Sequence, residues 1–148
     1  MKSEKISERF VKNLLLVMPS WHSRLVRPFK ESLNREMTLE TYYCLETLRA
    51  CKMMTMTELA RQLKIPKQQV TKLIDKLSEH NYIERLHNPE DRRSVWIRLT
   101  PNAIEYLDNY YKKNQTFICT LEEQLTSEEL QRLNEAVEVL AEILPKLN

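Results

Sequence analysis

A mainly α-helical fold with one small β-hairpin is what this sequence predicts, and three observations carry the prediction. Apolar residues recur every three or four positions through most of the 148 residues, the spacing of helices that each bury one stripe. Between Tyr82 and Leu99 the period falls to two, that of a half-buried strand. There is no glycine, the usual residue of left-handed turns and of loops that approach phosphate closely. Its absence excludes the P-loop, the G-x-G-x-x-G dinucleotide turn, the G-x-S-x-G nucleophile elbow and the standard EF-hand loop. At 30% charged and 42% hydrophobic residues, the composition is that of one water-soluble domain with no membrane span.

From the amino end, Ile6, Phe10, Leu14, Met18, Trp21, Leu25, Phe29 and Leu33 predict a long first helical region. Pro19 and Pro28 fall inside it; each lacks an N–H and crowds the preceding turn, so a kink or break is expected near both. Thr38 is the expected N-cap of a second helix carrying Leu39, Tyr42, Leu45 and Leu48. Thr55 and Glu58 have the spacing of a capping box, which opens a short helix through Leu63. Lys64-Ile65-Pro66 interrupts that helix, and another is expected from about Pro66 to His80 with Val70, Leu73, Ile74 and Leu77 inward. Asn81 is suited to the left-handed position that glycine would normally fill.

Tyr82–Leu86 and Ser94–Leu99 then read as two strands joined by the turn Asn88-Pro89-Glu90-Asp91. Thr100-Pro101 supplies an N-cap and a first-turn proline, followed by a long stripe of Ile104, Leu107, Tyr111, Ile118, Leu121 and Leu125. Thr126 and Glu129 form a second capping box, opening a last helix whose apolar positions run from Leu130 to Leu147. Its stripe is wider than a surface helix needs. Either it is central in one core or it packs on a partner subunit, and the small size of the chain favours the partner.

The formal net charge of +2 hides a polarised distribution. Residues 61–98 carry 9 basic and 5 acidic groups, whereas residues 120–148 carry 2 and 7. A basic block of that kind can meet a polyanion, although a charge cluster alone is more often a solvated face. Cys44, Cys51 and Cys119 are an odd set without a C-x-x-C pair, and no apolar leader opens the sequence. The expectation is a reduced, cytoplasmic setting with buried, inert thiols and neither a disulfide framework nor a structural metal.

The order of elements matters more than any one residue. A short capped helix, a proline-marked turn, a polar-faced helix and a basic-tipped hairpin make a winged helix-turn-helix. The second helix of such a unit fits the major groove, about 12 Å wide, and its amino-terminal side chains reach base edges. Lys67, Gln68, Gln69, Thr71 and Lys72 occupy that outward part; Gln can pair bidentately with adenine, and Lys with guanine or phosphate. Lys76 lies one turn further on, nearer the backbone. At the hairpin tip Arg92 and Arg93 follow Asp91, which can orient a guanidinium, and an arginine so held suits a narrow minor groove. The competing readings are the wet side of an amphipathic helix and the solubilising charge of an exposed turn. The two segments together weigh against both.

Four stretches resemble the MarR family of bacterial transcriptional regulators: Thr57-Glu58-Leu59-Ala60; Val70 to Leu77, reading VTKLIDKL; Tyr82-Ile83-Glu84-Arg85; and Asp91 to Pro101, reading DRRSVWIRLTP. The likeness covers roughly residues 38–101, and the flanking helices agree in order and length. It implies a homodimer in which helical regions 1–35 and 101–148 interleave for dimerisation, while residues 36–100 form the DNA-binding region. It also implies a recognition helix over Lys67–Leu77 and a wing whose Asp and Arg are Asp91 and Arg93. The partner would be double-stranded DNA with a pseudo-palindromic operator, and the role that of a repressor acting by occupancy. Two positions depart from the pattern: Asn81 stands for a glycine, which its tolerance of left-handed backbone permits, and Pro66 stands for a serine, which forfeits a capping hydroxyl.

Members of this family often release DNA when a small anionic or lipophilic effector enters a cleft beside the dimerisation helices. Trp21, His22, Arg24, Tyr42 and Tyr43 are the candidates here, set against the commoner role of aromatic residues as core. No cofactor is called for. A winged-helix protein interaction module that reads no DNA is the alternative, and an enzyme is disfavoured because its only conceivable nucleophile–base pair, Cys51 with His80, has nothing to orient it.

Overall fold

The computed structural model describes residues 3–33, 37–91 and 93–147. It divides into two compact units, Met1–Asn109 and Tyr110–Asn148. The first helix, α1 (Ile6–Trp21), runs through Pro19 without ending there. The ladder instead widens into a π turn at His22–Val26, where the Arg27 N–H reaches back five residues to the His22 carbonyl. Pro28, with no N–H to lose, then sits in the first turn of α2 (Arg27–Ser32). The disruption expected at both prolines is thus a single widened segment between them.

Helix α3 (Leu39–Cys51) begins as its sequence dictates. The Thr41 N–H donates to Thr38 Oγ1 at 3.2 Å and the Thr38 N–H to Thr41 Oγ1 at 2.9 Å, so each hydroxyl satisfies the other residue's orphan N–H. Thr41 is completely buried, a burial that its hydroxyl bond to the Thr38 carbonyl makes tolerable. At the far end Lys52 takes φ 65° and ψ −53°, a strained conformation for a residue with a Cβ. It turns the chain into β1 (Met53–Thr55), a strand the sequence did not disclose.

Helices α4 (Met56–Leu63) and α5 (Lys67–Glu79) follow, then β2 (Ile83–His87) and β3 (Val95–Leu99). The antiparallel sheet has the order β1-β3-β2, with Met54 and Arg85 both opposite Ile97. The expected hairpin is therefore two strands of a three-stranded sheet, and β3 is central. Its inward residues, Ile97 and Leu99, are buried beside Leu45 and Leu48 of α3, Leu59 of α4, and Val70, Ile74 and Leu77 of α5. Full burial of a Leu or Ile contributes about 1.5–3 kcal/mol, so this cluster holds α5 and the wing to one body.

Helix α6 (Pro101–Lys113) is capped by Thr100, whose Oγ1 accepts the Ala103 N–H at 3.2 Å. The long stripe expected from Ile104 to Leu125 is corrected in two respects. Ala103, Leu107 and Tyr110 are buried while Ile104 is 43% exposed, and the helix stops at Asn114 before α7 (Gln115–Gln124) begins. Helix α8 (Ser127–Ile143) carries the second capping box, with Glu129 N–H to Thr126 Oγ1 at 3.1 Å and the reciprocal bond at 3.0 Å. Those bonds hold the Glu129 carboxyl below its ordinary range. A short 3-10 turn, Leu144–Lys146, ends the helical region.

Neither α1 nor α8 has a buried residue. Among the described residues, no helix is long and apolar enough to cross a membrane.

Candidate nucleic-acid interface

The interface is assembled by three short-range devices. Thr55 caps α4, accepting the Glu58 N–H at 3.1 Å while Glu58 accepts the Thr55 N–H at 3.0 Å. Lys64, at φ 55° and ψ 43°, closes α4 in the left-handed region, and Pro66 then precedes the first turn of α5. Asn81, at φ 59°, performs the same reversal between α5 and the sheet, as its side chain suits it to do. In a chain without glycine, these two reversals fix the angle of α5 to both its neighbours.

Val70, Ile74 and Leu77 pin one side of α5 to the core. The opposite side is centred on Gln68 and Lys72, both exposed, with Asp75 and Glu79 continuing it. Lys67 is exposed at the amino end and Lys76 half-buried further on. Gln69 and Thr71 flank this line and are half-buried. The Gln69 Nε2 donates to Glu40 Oε2 at 2.9 Å, and the Thr71 hydroxyl donates to the Lys67 carbonyl at 3.0 Å. The sequence pattern groups all five residues as outward; the structure separates Gln68 and Lys72 from two side chains already engaged.

The wing is stiffened by acidic partners on its arginines. Arg85 pairs with Asp75, tying β2 to α5, and Arg98 pairs across the strands with Glu84 at 2.7 Å. At the tip Asp91 acts on backbone and hydroxyl: Oδ1 accepts the Arg93 N–H at 2.9 Å and Oδ2 the Ser94 hydroxyl at 3.2 Å. These bonds make an Asx turn that shapes the tip. Arg93 is exposed. Arg92 lies outside the described residues.

An open cleft of about 230 Å³ joins these parts, lined by Thr55, Met56 and Thr57 at the start of α4, Lys67 at the start of α5, and Arg93, Ser94 and Val95 of the wing. Among the described residues, Lys67, Lys72, Lys76 and Arg93 form no ion pair, in contrast to Arg49, Arg85 and Arg98. The α4 residues of the cleft were missed in the sequence; the Thr55–Glu58 capping box marks that helix end and with it a set of backbone N–H groups.

The candidate effector residues differ in exposure and engagement. Tyr42 is buried, edge-on to Phe29 at 4.9 Å between ring centroids, and its hydroxyl donates to Glu46 Oε1 at 2.8 Å. Tyr43, the next residue of α3, points outward and is 46% exposed. Trp21, His22 and Arg24 are exposed around the π turn, where Arg24 donates to Ser20 Oγ at 3.1 Å. Of the thiols only Cys44 is buried, and burial, reinforced by the Glu40 carboxylate, pushes it up to about 12. Cys51 and Cys119 are exposed, contrary to the burial expected for them, because each falls on the wet side of its helix.

A capped helix, a left-handed turn, a second helix fixed at an angle and a three-stranded wing define a winged helix-turn-helix protein. The MarR family model matches residues 37–95. YfiV, described as an uncharacterized HTH-type transcriptional regulator of Bacillus subtilis strain 168, is 31% identical over 88 residues, 60% of this chain and about half (55%) of that relative's length. The multiple antibiotic resistance protein MarR of Salmonella typhimurium is 29% identical over 133 residues, 89% of each chain. Among solved structures, a mutant MarR from E. coli superposes with a TM-score of 0.67 at 21% identity, covering 95% of this chain and 99% of that one. A mutant E. coli MarR complexed with operator DNA superposes at 0.58 and 21% identity, covering 93% and 99%. Over residues 37–95 the chain is similar to the MarR family, and it shares the fold of MarR structures over nearly its whole length.

Proposed function

We propose that the chain binds double-stranded DNA as a homodimer and represses transcription by occupying a pseudo-palindromic operator. The observation that carries this reading is the cleft between two helix starts and the wing, lined by Lys67 and Arg93, with Lys72 exposed on the same helix as Lys67 and neither these three nor Lys76 in an ion pair among the described residues. Phosphate contacts from these cations, with Arg92, would supply most of the affinity, and Gln68, Gln69, Thr71 and Lys72 the choice of base. A mutant E. coli MarR solved in complex with operator DNA shares this fold, which supports a DNA-binding reading. Residues 1–35 and 101–148 form the dimerisation region in this proposal, and residues 36–100 the DNA-binding region. The apolar, unburied faces of α1 and α8 support that division.

Release by a small anionic or lipophilic effector is the second part of the proposal. The exposed Trp21, His22, Arg24 and Tyr43 are the side chains available to it, and Tyr42 is buried against Phe29. Such an effector acts by binding one splay of the two recognition helices better than the other.

Selection from a random duplex pool near physiological salt tests the reading, with Arg93→Ala run in parallel. An enriched palindrome with half-sites about one turn apart, weakened in the variant, is the expected result. No enrichment from folded, dimeric protein would overturn it in favour of an interaction module.

A further inference from the structure

Gln69 differs from Gln68 and Lys72 in being held before any DNA arrives, and from Thr71 in being held by a side chain of another helix. Its Nε2 donates to Oε2 of Glu40 at 2.9 Å, across 29 residues of sequence. Glu40 stands in the first turn of α3, a helix anchored by the reciprocal Thr38–Thr41 cap and by the buried Leu45 and Leu48. A carboxylate only accepts hydrogen bonds, whereas an amide donates from nitrogen and accepts at oxygen. Of the two flip states of the Gln69 amide, one alone makes this bond. The side chain therefore leaves Oε1, with the second N–H of Nε2 beside it, as its free polar edge.

That edge has a definite preference in a major groove. Adenine and cytosine present exocyclic amino groups, N6 and N4, which Oε1 can accept; guanine and thymine present the carbonyl oxygens O6 and O4, which Oε1 repels. A free glutamine turns its amide over to suit either kind. A glutamine held by a carboxylate loses the bond to Glu40 when it flips and brings its oxygen against an anion.

We propose that Glu40 is a specificity-determining positioning residue, which locks the Gln69 amide so that each half-site discriminates an amino base from a keto base at one position. This rests on the reading of α5 as the recognition helix. Glu40 contributes through Gln69 and not through a contact of its own: its negative charge weakens all duplex binding alike, while the orientation it imposes changes the ratio between sequences. The fixed amide also loses less rotamer freedom on binding, as in other preorganised contacts.

The test uses the full-length protein and the duplex selected by the wild type, with each base substituted at every half-site position. Binding is measured for the wild type, Gln69→Ala, Glu40→Gln, Glu40→Ala and the Glu40→Gln/Gln69→Ala double variant. Glu40→Gln is the informative change: it keeps the shape, yet a glutamine can donate or accept, so the flip is no longer dictated. Expected is one position at which the wild type favours A or C over G or T by about tenfold or more. That ratio falls towards parity in Gln69→Ala and in both Glu40 variants, with no further fall in the double variant. Melting temperatures are recorded alongside. A melting shift in Glu40→Gln with an unchanged ratio would reduce Glu40 to a structural residue and overturn the proposal while leaving DNA readout standing. A wild type that selects no sequence overturns both.

Discussion

The winged-helix region and the terminal helices solve the burial problem in opposite ways. Every apolar residue buried among the described residues lies between Met37 and Tyr110. The large exposed apolar residues, apart from Tyr43, Met53 and Ile104, lie on α1, α8 and the turn that follows α8. Leu14 to Met18 is an uninterrupted apolar run with Leu16 at 77% exposure, which no single chain should leave in water. The middle of the molecule is stabilised by its own contacts, whereas α1 and α8 expose apolar surface, which the proposed homodimer would cover. The proposed reading head and dimerisation frame thus fall in different stretches of one short chain.

The comparison is broken most forcefully by exchanging the kind of damage. Ile74→Ala removes a fully buried side chain and should cost about 2–5 kcal/mol, read by urea unfolding as a loss independent of protein concentration. Leu140→Glu on α8 should instead convert a dimer to monomer in light scattering and lose duplex binding at concentrations where the wild type is bound. The wild-type melting temperature should rise with concentration. A melting point that does not move with concentration would show that the terminal helices need no partner.

Arg93→Ala leaves both parts folded and tests the reading head alone. It should weaken binding to all sequences and reduce the slope of log K against log salt by about 1 per chain. An unchanged slope would remove Arg93 from the phosphate contacts.

Backbone strain offers a smaller effect of opposite sign. Lys52 sits at φ 65°, ψ −53°, so Lys52→Gly should stabilise by about 1 kcal/mol, seen as a raised denaturation midpoint. Thr55→Ala should cost about the same through the lost cap of α4.

At neutral pH the smallest effect is that of the Cys44 thiol, which shows only in alkali. In the folded chain the Cys44 thiol is raised to about 12, whereas in the unfolded chain it ionises near 8.5. Above that lower value the unfolded state binds fewer protons, so stability falls as pH rises towards about 12. Cys44→Ala should flatten this decline, and a thiol reagent at neutral pH should label Cys51 in the native protein and Cys44 only after unfolding.

The legible parts of the molecule were those governed by local chemistry. The three capping pairs at Thr38, Thr55 and Thr126, the left-handed Asn81, and the inward Val70, Ile74 and Leu77 all follow from spacing and residue type. What escaped depends on partners distant in sequence. Strand β1 is three residues long, too short to show alternation, and exists because β3 has an edge to pair. Asp91 accepts the Arg93 backbone N–H, and Gln69 turns towards Glu40, a residue that no motif on α5 could name. The break at Asn114 carries no proline or glycine to announce it.

Stoichiometry on DNA tests the central claim most directly. Sedimentation of the chain with its selected duplex should show two 17.8 kDa chains per duplex, bound together, on half-sites about one helical turn apart, with a single half-site bound far more weakly. A monomer that binds one half-site with full affinity, or a dimer indifferent to the spacing, would contradict the division between a reading head and a frame completed by a second copy.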